Sequence, residues 1–194
     1  MAERPYVLLS VAMSVDGCID DATDTRLILS NDADLDRVDE VRAGSDAILV
    51  GAGTIRRDNP ALLVRSAARR SGRVARGLPA SPARVTLTAR GDLDPAARFF
   101  TAGDGARLIY VPAAEQDRIR GRLARAAGAA GIEVIGAGDP LSLGAVLADL
   151  AGRGVRRLMV EGGGTGKRMH LAEARLIGDV VLLRYLPGLS DTVT

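Results

Sequence analysis

The chain is poor in the residues that staple small folds and hold metals. Among its 194 residues there is one cysteine, Cys18, and one histidine, His170. A single cysteine excludes an internal disulfide. With only one histidine beside it, the His/Cys sets of the common zinc sites are excluded as well. Carboxylates remain as ligands for a hard cation, but no Asp/Glu cluster with the spacing of a cation loop stands out, so no metal is expected. Tryptophan is absent and aromatics amount to 3%, too few for the stacking platforms that read single-stranded nucleic acid. Lysine is nearly absent too: Lys167 is the sole one, so 25 of the 26 basic side chains are arginine. They are spread along the chain against 24 acids, for a formal net charge of +2. That distribution makes no basic stripe, and no nucleic-acid partner is expected. The apolar runs are short, such as Tyr6 to Leu9 and Ala47 to Val50. None approaches the roughly 20 residues of a membrane helix. The first residues, "MAERPYVLLS", lack the basic-then-apolar pattern of a secretory leader. A soluble cytoplasmic protein is expected.

What is present is a core. Hydrophobic residues make up 47% of the chain, enough for one globular domain, read as 1–194, or at most two small ones. Short apolar runs rich in β formers predict strands over 6–12, 46–51, 84–88, 107–111, 132–136, 156–162 and 179–186. Asn31 has the position of a helix N-cap before "DADLDRVDEVRA", where Leu35, Val38 and Val41 recur at helical spacing. Helices are also predicted over 113–131, with Ile119 and Leu123 on one face, and over 143–154 behind a Ser142 cap. Residues 52–60 read as a brief turn stopped by Pro60, and the Arg/Gly/Pro/Ser-rich stretch 66–83 as a long loop. Strands that alternate with helices imply an α/β fold of three layers around a mixed, mostly parallel sheet. Ligands of such sheets lie beyond the carboxyl ends of the strands. The candidate functional segments are therefore 14–17, 51–54 and 161–165.

The last of these is "LMVEGGGTGK", residues 158–167. It is not a P-loop: Glu161 stands where the first glycine belongs, and Arg168 follows the lysine. Nor is "GAGTIR" a dinucleotide fingerprint, because Arg56 stands in the third glycine position. A strand followed by a glycine-rich turn still exposes backbone N–H groups to an anion. The alternative reading is a plain tight turn with glycines at positive φ.

Three segments, "RPYVLLSVAMSVDGCI", "VRAGSDAILVGAGTIRRDNPALLVR" and "RLMVEGGGT", occur in one order and spacing. Through them the chain resembles the riboflavin-pathway pyrimidine reductase domain, which has the dihydrofolate-reductase-like fold. The resemblance implies NADPH-dependent reduction of a phosphoribosylamino-pyrimidine, by hydride transfer to C1 of the opened ribose. It implies cofactor contacts at Ala12, Leu27, Thr54, Asp58, Gly163, Gly164 and Thr165. It implies substrate contacts at Thr25, Arg42, Leu62, Arg65 and Glu161, with Glu161 and Asp16 as candidate catalytic residues. The arginines suit a phosphate, and Arg90 is a further candidate for the 2′-phosphate of NADPH. The implied partners are a small phosphorylated heterocycle and a second copy of the chain, as a homodimer.

The chain also departs from the family. Many bacterial relatives carry a lysine at the position of Ser10, and serine cannot supply that charge. No zinc deaminase unit fits in this chain, for want of His/Cys ligands. The glycine turn runs at once into "KRMHLAEARLIGDVVLLRYL", read as the region of the last strand, where the family has a further helix and strand. The chain is thus short of the family pattern near 166–167. A dihydrofolate-reductase-like enzyme and a nucleotide-binding module without turnover are the alternatives.

Overall fold

The computed structural model describes residues 4–12, 30–127, 131–162, 169–177 and 180–187. The chain divides into two compact units, Met1–Ser10 with Asp39–Gly162, and Val11–Val38 with Gly163–Thr194. In the first unit six strands form one sheet: β1 (Tyr6–Ser10), β2 (Ala47–Gly51), β3 (Ala83–Leu87), β4 (Arg107–Val111), β5 (Ile132–Gly136) and β6 (Arg157–Glu161). Their spatial order is β1-β6-β2-β3-β4-β5. Every pairing among them is parallel, which is why the strands read as short continuous apolar runs.

Alternation along the strands sends side chains to two buried faces. Ala47, Leu49, Val85, Leu108, Tyr110 and Leu158 share one face with Val146 and Leu150 of α6 (Leu143–Gly152). Ile48, Val50, Arg84, Thr86, Ile109 and Met159, none more than 1% exposed, occupy the other. There the Arg84 guanidinium lies 6.0 Å from the ring centre of Phe99, in the short helix α4 (Arg98–Thr101). The layered α/β architecture expected from the alternating pattern is therefore present. Helix α1 (Asp32–Ala43) starts where Asn31 Oδ1 accepts the Asp34 N–H at 2.8 Å, the expected cap. Ser142 caps α6 likewise, accepting from the Ala145 N–H at 3.4 Å. Residues 113–115 form a 3-10 turn that leads into α5 (Gln116–Ala127), with Ile119 and Leu123 buried. At the edge strand β5, Gln116 and Arg120 of α5 both donate to Val134 O, which blunts the sheet edge.

Three expectations need correction. Residues 52–58 are a full helix, α2 (Ala52–Asp58), where a brief turn was expected. The stretch 66–83 contains α3 (Ala67–Ala75), capped by Ser66, whose side chain accepts from the Arg69 N–H. It escapes the apolar-period criterion because its anchor is Arg73, 2% exposed. Arg73 Nη1 donates to Ala43 O and Ser45 O, and Nε to Pro79 O, each at 2.8 Å. The C-terminal region holds two strands, not one: β7 (Met169–Ile177) pairs antiparallel with β8 (Val180–Pro187). In that second unit Asn31 Nδ2 donates to Ile177 O at 2.9 Å.

Candidate active site

Parallel pairing aligns the carboxyl ends of β1, β6 and β2. Ser10 stands in register with Glu161, and the Gly162 N–H points to Ser10 O at 3.4 Å. Gly162 has φ 74, a left-handed conformation that glycine adopts without strain. A β-carbon placed there would lie 3.4 Å from Thr54 Oγ1, so the first glycine of the turn and the Thr54 hydroxyl are neighbours. Thr54 is reached by a direct passage from β2 into α2 through Gly51, an exposed residue with open space where a β-carbon would stand.

Arg42, in the last turn of α1, crosses to Glu161. Its Nε donates to Oε1 and its Nη2 to Oε2, both at 2.7 Å, and Nη1 donates to Leu63 O at 3.2 Å. Both side chains are 17% exposed. Burial opposes the charge on Arg42, but the bonds to Glu161 outweigh it and hold the guanidinium more firmly protonated than an ordinary arginine. The fork expected to face a substrate phosphate is here engaged by a carboxylate of the same chain.

Three residues earlier on α1, Asp39 is 2% exposed. It accepts from the backbone N–H of Arg65 and, at 3.1 Å, of Ser66, and from Arg69 Nη1 at 3.1 Å. Burial would raise its pKa, but those donors prevail and hold the carboxyl below the ordinary range. Val64 N–H donates to Ser81 Oγ at 3.1 Å. The segment that carries Leu62 and Arg65 is thus fastened by side chains, without a strand partner. Leu62 is 2% exposed, with φ 53; its side chain belongs to the core, so any contact with a ligand runs through its backbone. The Arg65 side chain is 55% exposed, with Nε 3.9 Å from Asp39 Oδ1.

Asp58 is half-buried at the end of α2, and Ala12 is exposed two residues beyond β1. Asp16, Thr25, Leu27, Gly163, Gly164 and Thr165 lie outside the described residues. Arg90 is largely exposed, and with Arg56 it flanks Asp92: Arg56 Nη1 is 3.0 Å from one carboxylate oxygen and Arg90 Nη2 is 4.0 Å from the other. Asp39, Arg56 and Asp92 were missed in the sequence. Asp39 had a readable signal, an acid one helical turn before Arg42, whereas the Arg56–Asp92 contact joins residues 36 apart and had none. Among the described residues no group of three or more His, Cys, Asp or Glu is placed to hold a metal ion. Among them, too, no helix is long and apolar enough to cross a membrane.

An acid, a bare glycine backbone and a hydroxyl gathered at the ends of adjacent parallel strands make the carboxyl edge of the sheet the candidate site of this α/β protein. The chain belongs to the RibD C-terminal domain family, whose model matches residues 5–186. A protein of Archaeoglobus fulgidus, named 2,5-diamino-6-ribosylamino-4(3H)-pyrimidinone 5′-phosphate reductase, is 40% identical over 164 residues, 84% of this chain and 72% of that protein. Its namesake in Methanothermobacter thermautotrophicus is 35% identical, covering 84% of this chain and 69% of that one. Among solved structures, the Thermotoga maritima diaminohydroxyphosphoribosylaminopyrimidine deaminase/5-amino-6-(5-phosphoribosylamino)uracil reductase is 27% identical with a TM-score of 0.62. The match takes in 82% of this chain but 39% of that one. A pyrimidine reductase-like protein of Corynebacterium diphtheriae, 18% identical, superposes with a TM-score of 0.73 over 95% of this chain and 92% of its own. It speaks for the fold alone. The family and the dihydrofolate-reductase-like fold expected from the sequence motifs both hold.

Proposed function

We propose that the chain is an NADPH-dependent reductase of a phosphorylated ribosylamino-pyrimidine, the class of compound named in its archaeal relatives. The observation that carries this reading is the meeting of Gly162, Thr54 and the Arg42–Glu161 pair at the carboxyl ends of β6 and β2. The residues fit a dinucleotide: Gly51 is exposed beside open space, Gly162 presents bare backbone at φ 74, and Thr54 offers a hydroxyl beside it. When bound, NADPH supplies the hydride that reduces C1 of the opened ribose. The chain's own part is to bind and orient. Thr54, Asp58 and the bare backbone of Gly162 hold the cofactor. Arg56 and Arg90, set about Asp92, offer guanidinium groups to the 2′-phosphate that distinguishes NADPH from NADH. Arg42 and Arg65 face the phosphate of the substrate, on a backbone that Asp39 fixes.

The test is loss of reduced-nicotinamide absorbance with the ribosylamino-pyrimidinone 5′-phosphate, its uracil counterpart, and each compound stripped of phosphate. Turnover with a phosphorylated compound, faster with NADPH than with NADH, is expected. Absence of turnover across the panel, with folded protein, sinks the proposal. Equal rates with NADH would refute the role given to Arg56 and Arg90.

A further inference from the structure

An acid at a strand end beside a glycine turn invites the role of proton donor. The geometry points elsewhere, and we infer that Glu161 is a positioning residue: it orients the two remaining N–H donors of Arg42 for the substrate phosphate and donates no proton to the substrate. Both Glu161 oxygens are committed, at 2.7 Å each, to two nitrogens of one guanidinium. That side-on, two-bond match is the most directional contact an arginine makes. Each oxygen keeps a second lone pair, but a proton placed on either would remove the charge that holds both bonds, so Glu161 cannot act as a donor unless the pair first breaks. Breaking it strands two charges, each on a side chain only 17% exposed, and one uncompensated charge in such a place is costly. Ser10, in register with Glu161 across β1, is neutral, so Arg42 is the cation that answers this carboxylate.

The effect on Arg42 is equally specific. With Nε and Nη2 on Glu161 and Nη1 on Leu63 O, three of the five N–H groups of a guanidinium are spoken for. One remains on each terminal nitrogen, and the three fixed bonds leave the group a single orientation. Glu161 therefore sets where those two donors point.

The inference rests on the proposed reductase activity, and the two fail differently. Wild-type turnover is measured first, and its absence overturns both. Given an active wild type, E161Q, E161D and R42K are compared by kcat, KM, pH profile and calorimetric binding of the phosphorylated substrate without cofactor. Glutamine keeps the reach and one acceptor for Arg42; aspartate keeps the acid but falls a methylene short. A positioning residue thus requires E161Q to be the more active of the two, with kcat within about tenfold of wild type and the acid limb of its pH profile intact. E161D and R42K should instead raise KM and weaken substrate binding by about tenfold or more. If E161D is the more active, and E161Q loses the roughly 10²–10⁴-fold in kcat that a general acid contributes together with the pH limb, the inference is wrong. A merely structural pair is also excluded by this set: it would lower thermal stability in all three variants without separating kcat from KM.

Discussion

Replacing Asp39 should weaken the fold in a way that depends on pH with a definite sign. The carboxylate is 2% exposed and takes the backbone N–H groups of Arg65 and Ser66, with Arg69 Nη1 as a third donor. Each buried donor left without a partner costs about 1–3 kcal/mol. Because Arg65 is exposed and Ser66 half-buried, water offsets part of that, and about 2–4 kcal/mol in all is expected for Asp39→Ala. Asp39→Asn retains one acceptor oxygen but turns an amide donor toward an N–H, for a loss of about 1–2 kcal/mol. The folded carboxyl titrates below its unfolded value, which is about 3.9. Its contribution is therefore complete above that unfolded value and is lost as pH falls through the folded one. Urea unfolding of wild type and Asp39→Asn at a series of pH values measures the difference, and taking the difference cancels the other carboxylates. The gap should be constant from neutral pH down to about 5 and close below about 4. A gap that stays constant to the lowest pH at which both proteins fold, or an Asp39→Ala loss under about 0.5 kcal/mol, would refute the clamp.

Arg73→Met removes a buried cation that satisfies three carbonyls. It should cost about 3–5 kcal/mol, read as a fall of roughly 10 °C in Tm, with Arg73→Lys recovering part. At Gly91, φ is 65 and an added β-carbon would stand 2.7 Å from two Ile119 atoms. Gly91→Ala should therefore lose about 2–4 kcal/mol, and Ile119→Ala in the same chain should cost less than in wild type, a coupling that a double-mutant cycle reports. Tyr110→Phe deletes the 2.7 Å bond to Asp149, a residue that keeps Arg153, so thermal or urea unfolding should show only about 1 kcal/mol lost.

How far the fold was legible depended on what anchors each element. The central strands β2 and β4 were readable because both their faces are buried, so that "AILVG" and "RLIYV" carry apolar side chains in succession; β1 reads as an apolar run too, although Tyr6, Val7 and Leu9 are exposed. Helix α3 was unreadable for the opposite reason: its only large apolar residue, Val74, is 58% exposed, and an arginine does the anchoring. Strand β7, "MHLAEARLI", mixes charges with apolar residues too evenly to declare itself. At the site, motif order brought Thr54, Arg42 and Glu161 to notice, but not that the last two face each other. They are 119 residues apart, and no local pattern encodes a contact of that range.

The segment after α2 explains why Asp39 is buried on α1. Between α2 and α3 the chain runs through 59–66 without helix or strand, so its backbone polar groups have no ladder to join and must be satisfied singly. Arg42 takes Leu63 O, Ser81 takes Val64 N–H, Arg70 takes Val64 O and Arg65 O, and Asp39 takes Arg65 and Ser66 N–H. Side chains from α1 and α3, with Ser81 from the chain before β3, thus do for this segment what neighbouring strands do for β2. A loop held in that way presents Arg65 from a fixed backbone, at the end of the sheet where Arg42 and Glu161 meet. Binding geometry is best kept when the groups that touch a ligand are themselves locked by a surrounding set of bonds. The left-handed, buried Leu62 fits this reading: its strain, of order 1–3 kcal/mol, persists because the next residues are held at nearly every backbone atom. Loosening any one of these bonds should therefore register first in substrate affinity, before the sheet itself gives way.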